Sequence, residues 1–216
     1  AAFRQYAHNL GELLPSALDA PILDLGCGAG LLMSFLRSRG YRRVEGWEIS
    51  EDQVAICHGA GLMDVRHVVD TAAELARRPE YFELIVMTDV LEHIPKPDVL
   101  PLLEKMRAAI ARGGRVIIRV PNLAAFTGAY SRYLDFTHEV GFVEKSLSQV
   151  LLVCGFTDVE IRAEKLAFRS PIRGMLFSGA QSAVRMLRRA CFFLEMPGSA
   201  LPKVLSPNLI GTARVG

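Results

Sequence analysis

Short apolar segments alternate with segments of helical periodicity over the first 120 residues. The apolar segments have the length and composition of strands that are buried on both faces, and they cover residues 21–25, 44–47, 65–69, 82–87 and 116–120. Residues 31–39 have a helical pattern that stops at Gly40, and Ser50 with Gln53 three residues later forms a capping-box start for another helix. Repeated βα units predict a doubly wound α/β fold, with a ligand crevice beyond the carboxyl ends of its parallel strands.

The pattern changes after Pro121. Residues 122–145 contain tyrosine, phenylalanine and histidine and are expected to form an insertion that covers the crevice. A helix-like stretch at 143–154 closes at Gly155, and residues 157–168 and 208–215 are expected to pair as two late strands. An amphipathic helix is predicted between these strands, at about 174–195.

Length and charge restrict the classes of protein. A chain of 216 residues that is 50% hydrophobic predicts one domain with a sizeable core, spanning residues 1–216. The net charge of +2 argues against a surface that binds nucleic acid throughout. The charge is uneven, because residues 161–216 carry nine basic and two acidic side chains while the remainder is acidic overall. Since an acidic body repels phosphates, no nucleic-acid partner is expected.

Cysteine usage and the N-terminus indicate the cellular setting. The four cysteines are widely spaced and form no C-x-x-C pair, which argues against a structural zinc site and a disulfide framework. The N-terminus lacks a basic-then-apolar secretory pattern. The first residue is Ala1 and not Met, the pattern of a processed or trimmed chain. We therefore expect a cytoplasmic protein.

A glycine-rich loop follows the first predicted strand. The string ILDLGCGAG places Gly26, Gly28 and Gly30 between this strand and the first helix, where glycine lets the backbone turn sharply and approach a ligand. A dinucleotide fingerprint requires its third glycine three residues after the second, a position that Leu31 occupies here. This spacing favours a nucleoside ligand over a dinucleotide.

Acidic residues lie at or near the ends of the first three strands. Glu48 ends the second strand, about twenty residues beyond the loop, where a carboxylate can accept hydrogen bonds from ribose hydroxyls. Asp24, within the first strand, is placed to meet an ammonium group. Asp70 ends the third strand and is equally well interpreted as a contact to a bound adenine or as the N-cap of the helix from Thr71.

Together with the runs FELIVMTDVLEHI and ARGGRVIIRVPN, these motifs resemble the class I S-adenosylmethionine-dependent methyltransferases over about residues 22–156. The resemblance implies a Rossmann-like, three-layer α/β/α fold with a seven-stranded sheet, mostly parallel, whose last strand is antiparallel. It implies S-adenosyl-L-methionine as the cofactor, with the methionine part near Asp24 and the glycine loop, the ribose on Glu48 and the adenine beside Asp70. The full set of predicted cofactor contacts is Asp24, Gly26, Cys27, Gly28, Gly30, Glu48, Ile49, Asp70, Thr71 and Asp89.

The end of the fourth strand brings three polar side chains to the place where methyl transfer would occur. Methylation of a hydroxyl requires that its proton be removed or its pKa lowered, which a histidine or a metal can do. The D/E-V-L-E-H pattern is similar to that of ubiquinone-type and RNA 2′-hydroxyl methyltransferases, some of which bind a divalent cation. Asp89, Glu92 and His93 match it, with His138 as a fourth ligand, and the set would suit Mg²⁺ or Mn²⁺. The favoured interpretation has no metal, with His93 holding the loop by hydrogen bonds or accepting a proton.

The predicted insertion contains groups suited to a hydroxylated acceptor. It holds Tyr130, Tyr133, Asp135, His138 and Glu139. His138 is the leading candidate for the general base, because histidine gains and loses a proton near neutral pH; a capping or surface role is the alternative. The string DFTHE, followed by a helix and GF, is more loosely similar to methyltransferases encoded with bacterial surface-polysaccharide synthesis, which implies a sugar hydroxyl as the acceptor.

The helix at 174–195 has two interpretations. Its apolar residues recur at helical spacing, and Arg185, Arg188 and Arg189 lie on another face. The favoured interpretation is a helix that covers the sheet and exposes an arginine edge. The alternative is a helix in a membrane interface, with Phe192 and Phe193 exposed beside the arginines near an anionic leaflet or a lipid-linked glycan.

The sequence predicts an S-adenosylmethionine-dependent O-methyltransferase that acts on a small-molecule or glycan acceptor, with His138 or His93 accepting the proton. The alternatives are a ubiquinone-type phenol O-methyltransferase with a divalent metal, and a non-catalytic protein that binds the cofactor. A polar, open crevice would favour the glycan acceptor, and a strongly apolar one the phenol. The expected location is cytoplasmic, and the alternative interpretation of the C-terminal helix adds peripheral contact to the inner membrane face.

Overall fold

A computed structural model describes residues 2–216, and Ala1 lies outside the described residues. Seven strands form one sheet in the order β3-β2-β1-β4-β5-β7-β6. In chain order the strands are β1 (Ile22–Leu25), β2 (Val44–Glu48), β3 (Val65–His67), β4 (Phe82–Thr88), β5 (Ile110–Pro121), β6 (Thr157–Ala163) and β7 (Asn208–Arg214). The seven-stranded α/β sheet is therefore confirmed.

The direction of the strands places the crevice. The first five strands are parallel to one another, and β7 pairs antiparallel with both β5 and β6. Because β7 is the last strand along the chain, the predicted antiparallel last strand is confirmed. The carboxyl ends of β1, β2, β4, β5 and β6 consequently share one edge of the sheet, which we call the carboxyl edge.

Eight helices lie around the sheet in the described residues. They are α1 (Ala2–Leu10), α2 (Leu31–Ser38), α3 (Glu51–Gly59), α4 (Thr71–Ala76), α5 (Lys96–Ala109), α6 (Gly128–Leu134), α7 (Glu144–Val153) and α8 (Pro171–Glu195). Short 3-10 helices occupy Gly11–Leu13 and Leu91–His93. The helix predicted at 174–195 thus begins three residues earlier, and the late strands pair as predicted.

Local chemistry explains where the helices start and stop. The Ser50 side chain accepts a hydrogen bond from the backbone N–H of Gln53 and so caps α3. Gly40 has a φ of 95°, which L side chains rarely adopt, and it ends the α2 turn as predicted. Asp70 caps α4 by accepting from the N–H of Ala73 at 2.9 Å. The capping interpretation of Asp70 is therefore confirmed.

The core occupies both faces of the sheet. One apolar cluster includes Trp47, Phe82 and Leu147, and the other includes Met33, Leu36 and Ile22. Trp47 is 1% exposed, with its ring edge against Phe82, so it belongs to the core. Asn122 is also fully buried: its side chain donates to the carbonyls of Val204 and Ser206 and accepts from the N–H of Ala124. It joins the start of the insertion to the chain that leads into β7.

Helix α1 was not predicted from the sequence. Its Phe3 and Tyr6 rings pack on Phe35 of α2. At its other side, Gln5 and Asn9 exchange hydrogen bonds with the backbone of residues 165 and 167, just after β6. Helix α1 therefore spans the carboxyl edge from α2 to the end of β6.

Helix α8 contradicts the interpretation favoured from its sequence. None of its side chains that the structure describes is buried, so α8 does not cover the sheet. Arg185 and Arg188 are half-buried, and Arg188 donates to the Ala124 carbonyl in the body of the protein, whereas Leu187 and Leu194 are more than half exposed. Phe192, expected to be exposed, is also half-buried. Periodicity shows that two faces of a helix differ, but only the tertiary structure decides which face turns inward.

Across the described residues, no helix combines the length and the apolar character that crossing a membrane requires.

Candidate functional site at the carboxyl edge

The glycine loop closes against Glu48 at the start of the crevice. One oxygen of Glu48 accepts from the N–H of Gly28 at 2.8 Å, and the other accepts from the N–H groups of Ile49 and Ser50 at 2.9 and 3.0 Å. The carboxylate is buried. Charge-assisted hydrogen bonds of this kind hold both the acid and the loop in place. The structure therefore brings the predicted ribose acid directly to the predicted loop.

The loop glycines differ in what surrounds them. All three have positive φ, and a Cβ on Gly26 or Gly30 would come within 2.3 Å of Val90 or Leu62. A Cβ on Gly28 would meet nothing within 4 Å. Gly26 and Gly30 therefore allow close internal packing, while Gly28 borders open space beside Glu48.

Cys27 is buried, and its thiol points into the protein. The sulfur lies 3.9 Å from the carbonyl oxygen of Gly28, and burial raises the pKa of the thiol. A thiol that resists ionisation behaves as a small apolar group. Any contact of Cys27 with a ligand would consequently be through its backbone.

Asp24 is the most unusual charged group at this edge. It is 2% exposed, and its Oδ2 atom has no hydrogen-bond partner in the described structure. Burial and the nearby Glu48 carboxylate raise the pKa of Asp24 to about 7. An unpaired buried carboxylate is costly and is stabilised by a cation. The residues present thus fit a ligand with hydroxyl groups and a positive charge, as S-adenosylmethionine has.

The residues beyond β2 and β3 expose apolar side chains. Ile49 is 66% exposed and Val69 69% exposed, although both are aliphatic. Asp70 is exposed and Thr71 half-buried. The strands β2 and β3 are paired neighbours, so these residues follow adjacent strand ends. Such a surface is suited to a flat ring, and the adenine contact of Asp70 and Thr71 stays a prediction.

Asp89 belongs to an ion-pair network. It has a φ of 55°, and its carboxylate pairs with the Arg119 guanidinium. Arg119 also donates to Glu164 at 3.0 Å, and Glu164 accepts from Asn208 at 2.6 Å. Burial raises the pKa of Asp89 while Arg119 lowers it. The network joins the carboxyl ends of β4, β5 and β6.

Tyr6 of α1 is half-buried with its ring against Phe35, and the charges of this network act on its phenol. Burial and the Asp24 carboxylate raise the pKa of Tyr6, with smaller effects from Arg119, Asp89 and Glu164. The Tyr6 phenol is therefore subject to the charges of both Asp24 and the Asp89 network. Sequence analysis missed Tyr6, Arg119 and Glu164. Only Arg119 stood in a quoted motif, and no pattern in the chain connects the three.

Glu92 lies beneath the insertion with its carboxyl group unpaired. It is 2% exposed, and neither side-chain oxygen has a partner in the part of the chain that the structure describes. Burial raises the pKa of Glu92 to about 7. Its backbone carbonyl accepts from the N–H groups of Glu139 and Val140 at 2.7 and 3.0 Å, which fastens the insertion.

His93 and His138 meet at the same place. Their ring centroids are 4.7 Å apart, edge to face. His138 Nδ1 lies 3.0 Å from the carbonyl of Ser131, which can only accept, so Nδ1 carries the proton. His93 Nδ1 lies 2.8 Å from the Thr137 hydroxyl, which itself donates to Asp135 at 2.7 Å. Nδ1 of His93 is then also the donor, and Nε2 of both rings is left able to accept a proton.

These groups form a compact cluster. One possible ligand atom from each of Glu92, His93 and His138 lies within 4.8 Å of the others. A carboxylate with two imidazoles, each oriented by a second hydrogen bond, is a donor set that fits a divalent cation. The sequence had placed Asp89 in this set. The structure corrects that assignment, because Arg119 neutralises Asp89 and His138 completes the cluster.

The insertion is polar within and aromatic outside. Arg132 donates to the carbonyls of His138 and Glu139, which orders the loop beneath α6. Tyr130 is 67% exposed and Tyr133 81% exposed. Both tyrosine rings are therefore largely exposed to solvent, unlike the carboxyl of Glu92.

Comparison with known proteins agrees with this geometry. A family model described as a methyltransferase domain matches residues 1–161. Curated relatives include two ubiquinone biosynthesis O-methyltransferases. The one from Azoarcus sp. (strain BH72) is 31% identical over 81 residues, covering 36% of this chain and 34% of the relative. The one from Nitrosomonas europaea is 25% identical over 118 residues, covering 52% and 48%. The chain spans about a third to a half of the length of these relatives.

Solved structures share the fold. A SAM-dependent methyltransferase from Archaeoglobus fulgidus superposes with a TM-score of 0.70 at 20% identity, covering 98% of this chain and 94% of that one. Phosphoethanolamine N-methyltransferase 2 from Haemonchus contortus, in complex with S-adenosyl-L-methionine, has a TM-score of 0.66 at 17% identity and covers 98% and 52%. Since the family model covers about three quarters of the chain, the protein belongs to the methyltransferase domain family.

Proposed function

We propose that the protein is an S-adenosylmethionine-dependent O-methyltransferase whose acceptor is a hydroxyl group of a sugar or glycan intermediate. The observation that carries the proposal is the juxtaposition at one sheet edge of a donor cradle, made by the loop and Glu48, with two histidines whose Nε2 atoms can accept a proton. Buried Asp24 lies on β1, which stands between β2 and β4 in the sheet. It supplies a negative charge between Glu48 and the two histidines. Family membership supports the same chemistry.

The donor half of the site holds its ligand by charge and hydrogen bonds. Glu48 already orders the loop through Gly28 and would accept from ribose hydroxyls with its remaining lone pairs. Asp24 would become ionised beside the ammonium group of the methionine part. Bound S-adenosylmethionine supplies a methyl group on a sulfonium. These residues bind and orient the donor and take no proton from the acceptor.

The acceptor half of the site handles the proton. His138 is held by Ser131, and His93 by Thr137 and Asp135, so each imidazole presents Nε2 without rotating. Either ring can accept the hydroxyl proton of the acceptor as the oxygen is methylated. Buried Glu92 beside them would stabilise the imidazolium that forms.

The chemistry around this half favours a polar acceptor. This half of the site contains histidines, carboxylates, the Thr137 hydroxyl and the Arg119 guanidinium, which come from the ends of β4 and β5 and from the insertion. A hydroxylated ring can exchange hydrogen bonds with such groups. An unsubstituted apolar ring could form none of these hydrogen bonds, and the Glu92 carboxyl would keep its two unpaired oxygens.

A second candidate is a phenol O-methyltransferase that uses a divalent metal. The specific observation in its favour is the Glu92, His93 and His138 cluster, whose carboxylate and two imidazoles lie within 4.8 Å of one another and suit a divalent transition-metal cation better than Mg²⁺. The curated relatives named ubiquinone biosynthesis O-methyltransferase point in the same direction. In this alternative the three residues would hold the cation, and the cation would lower the pKa of the phenol.

The test begins with calorimetric titration of the purified chain with S-adenosylhomocysteine, using NAD as the comparison ligand and repeating both with Mg²⁺ or Mn²⁺. Micromolar binding of S-adenosylhomocysteine alone is expected; no binding would refute the donor site. Transfer of a labelled methyl group is then measured to nucleotide sugars, lipid-linked glycans and catechol-type phenols. Methylation of sugars without metal supports the first candidate, and metal-dependent methylation of phenols supports the second. Donor binding without transfer to any of these would favour a non-catalytic binding protein.

A further inference from the structure

Helix α8 turns its polar side inward. Among the residues of α8 whose side chains the structure describes, the half-buried ones are spaced three, four or seven residues apart. They therefore form one stripe along the helix. They are Gly174, Gln181, Arg185, Arg188 and Phe192. A surface helix ordinarily buries its apolar stripe and exposes its charges. Helix α8 does the opposite.

Specific contacts fix this orientation. The Arg188 Nε donates to the carbonyl of Ala124 at 2.8 Å, at the start of the insertion. Its guanidinium carbon lies 5.9 Å from the ring centre of Phe126 and 5.2 Å from that of Phe192. Arg189 donates to the carbonyl of Lys203 at 3.2 Å. The arginine side is thus anchored to the body, and the helix cannot rotate without breaking these contacts.

The outward side of α8 is apolar along its length. Its large apolar residues are each about half to three-quarters exposed and are Ile172, Met175, Leu176, Val184, Met186, Leu187, Phe193 and Leu194. Ala180, Ala183 and Ala190 lie between them on the same side. With 25 residues the helix is about 37 Å long. This apolar ridge is larger than the scattered exposed apolar residues of a typical monomer surface.

We propose that the apolar ridge of α8 docks in the surface of an anionic membrane, with the helix axis parallel to the bilayer. Interfacial helices have an apolar side and an opposite side rich in basic residues, and they are not apolar enough to cross the bilayer. Helix α8 has these properties. Phe126 is 74% exposed beside Arg188 and adds a further exposed apolar side chain near α8.

Charge selects an anionic bilayer over the other possible occupants. Residues 165–203 carry seven basic side chains and one acidic side chain, Glu195. Lysine and arginine at the level of the headgroups attract anionic lipids. A second copy of the chain on the same ridge would bring two sets of these positive charges together, which opposes pairing.

Docking of α8 would determine where the crevice lies relative to the membrane. Arg188 joins the inward side of α8 to Ala124, so the helix lies next to the start of the insertion. Docking of α8 would bring this insertion to the bilayer surface. The proposal rests on the geometry of α8 alone and stands whether or not the proposed acceptor is correct.

The test is flotation of the full chain with vesicles of phosphatidylcholine, with and without phosphatidylglycerol, at low and high salt. The wild-type protein is expected to float with the anionic vesicles and to be released by salt. Leu187→Glu with Leu194→Glu places two charges on the ridge and should reduce the vesicle-bound to free ratio by about tenfold or more. The control combines Met63→Glu with Leu152→Glu, two residues of similar exposure away from α8, and should float like the wild type.

The outcomes distinguish a membrane from a second copy of the chain as the partner of the ridge. Circular dichroism melting checks that both double variants are folded, and sedimentation without lipid measures the oligomeric state. Absence of flotation, equal flotation on both kinds of vesicle, or equal loss in the control would overturn the proposal. A wild-type dimer that the ridge variant makes monomeric, without flotation, would instead assign the ridge to a second copy of the chain.

Discussion

The carboxyl edge of the sheet and helix α8 treat polar and apolar side chains in opposite ways. At the carboxyl edge, Asp24 and Glu92 are buried with unpaired oxygens. On α8, large apolar side chains such as Leu187 and Leu194 are exposed, while Arg185 and Arg188 turn inward. Each region departs from the usual rule that apolar side chains are buried and charged side chains are exposed.

Both departures have a free-energy cost in the free protein. An unpaired buried carboxyl lacks the hydrogen bonds that water would supply, and an exposed leucine orders water around it. A cationic or hydroxylated ligand would remove the first cost, and an apolar environment would remove the second. The comparison indicates that a small polar molecule completes one region and an extended apolar surface completes the other.

The first prediction tests the polar region at the step of proton transfer. His138→Ala is expected to lower kcat by about a hundredfold or more, because a positioned general base typically contributes that much. Donor affinity should change little, since Glu48 and the glycine loop hold the donor. His58→Ala, a histidine bonded to the carbonyl of Val65, is the control. Full turnover by His138→Ala would remove that residue from the mechanism and leave His93 as the base.

The second prediction tests the donor cradle. Glu48→Ala should weaken binding of S-adenosylhomocysteine by about ten- to a hundredfold, because hydrogen bonds to a charged acceptor contribute about 1.5–3 kcal/mol. Glu48→Gln keeps the shape and should retain part of the affinity. Glu45→Gln, on the same strand but paired with Arg78, is the matched control for calorimetry. Unchanged affinity in Glu48→Ala would refute the ribose assignment.

The third prediction concerns pH and Asp24. Since the pKa of Asp24 is raised to about 7 in the free protein, a cationic donor has to displace a proton below this pH. Affinity for S-adenosylmethionine should therefore fall as the pH decreases from 8 to 6, with release of up to one proton per ligand. Calorimetry in buffers of different ionisation enthalpy measures this release. Asp24→Asn should bind more weakly and lose the proton release; a proton count unchanged by the substitution would contradict the assignment.

The raised pKa of Asp24 has the opposite effect on stability: the folded protein becomes less stable as pH rises, whereas the affinity for the donor increases. A carboxyl whose pKa is higher in the folded than in the unfolded protein holds its proton more tightly when folded, so stability decreases as pH rises from about 4 to about 7. Asp24→Asn should therefore gain stability relative to the wild type at pH 8 and little at pH 4. Denaturant titration at the two pH values measures the difference, and a gain that is independent of pH would count against a buried ionised Asp24.

The smallest predicted effect is on α8. Leu187→Ala should change the free energy of unfolding by less than about 0.5 kcal/mol, because Leu187 is 65% exposed. Leu151→Ala, on α7 and fully buried, should cost about 2–5 kcal/mol. Chemical denaturation of the two variants sharpens the contrast between core and ridge. A large loss in Leu187→Ala would mean that the ridge packs within the chain.

The extent of sequence prediction differs between the two halves of the site. The strands, the loop and Glu48 were predicted because each depends on neighbouring residues: apolar runs form buried strands, and glycines permit the turn of positive φ that follows β1. The proton-handling half was predicted only in part. Glu92 and His93 are adjacent in sequence, whereas His138 lies 45 residues after His93 and was predicted as a fourth ligand. Asp89 was assigned to the same set, but it pairs with Arg119 instead.

What the sequence determined by itself is the doubly wound sheet, the glycine loop facing an acid, and a basic amphipathic helix before the last strand. These features follow from local periodicity, turn chemistry and composition. The tertiary structure decided three others: the packing of α1 across the carboxyl edge, the exclusion of Asp89 from the cluster of Glu92, His93 and His138, and the outward direction of the apolar face of α8. Each of these depends on contacts between residues far apart in the chain, which local patterns do not encode.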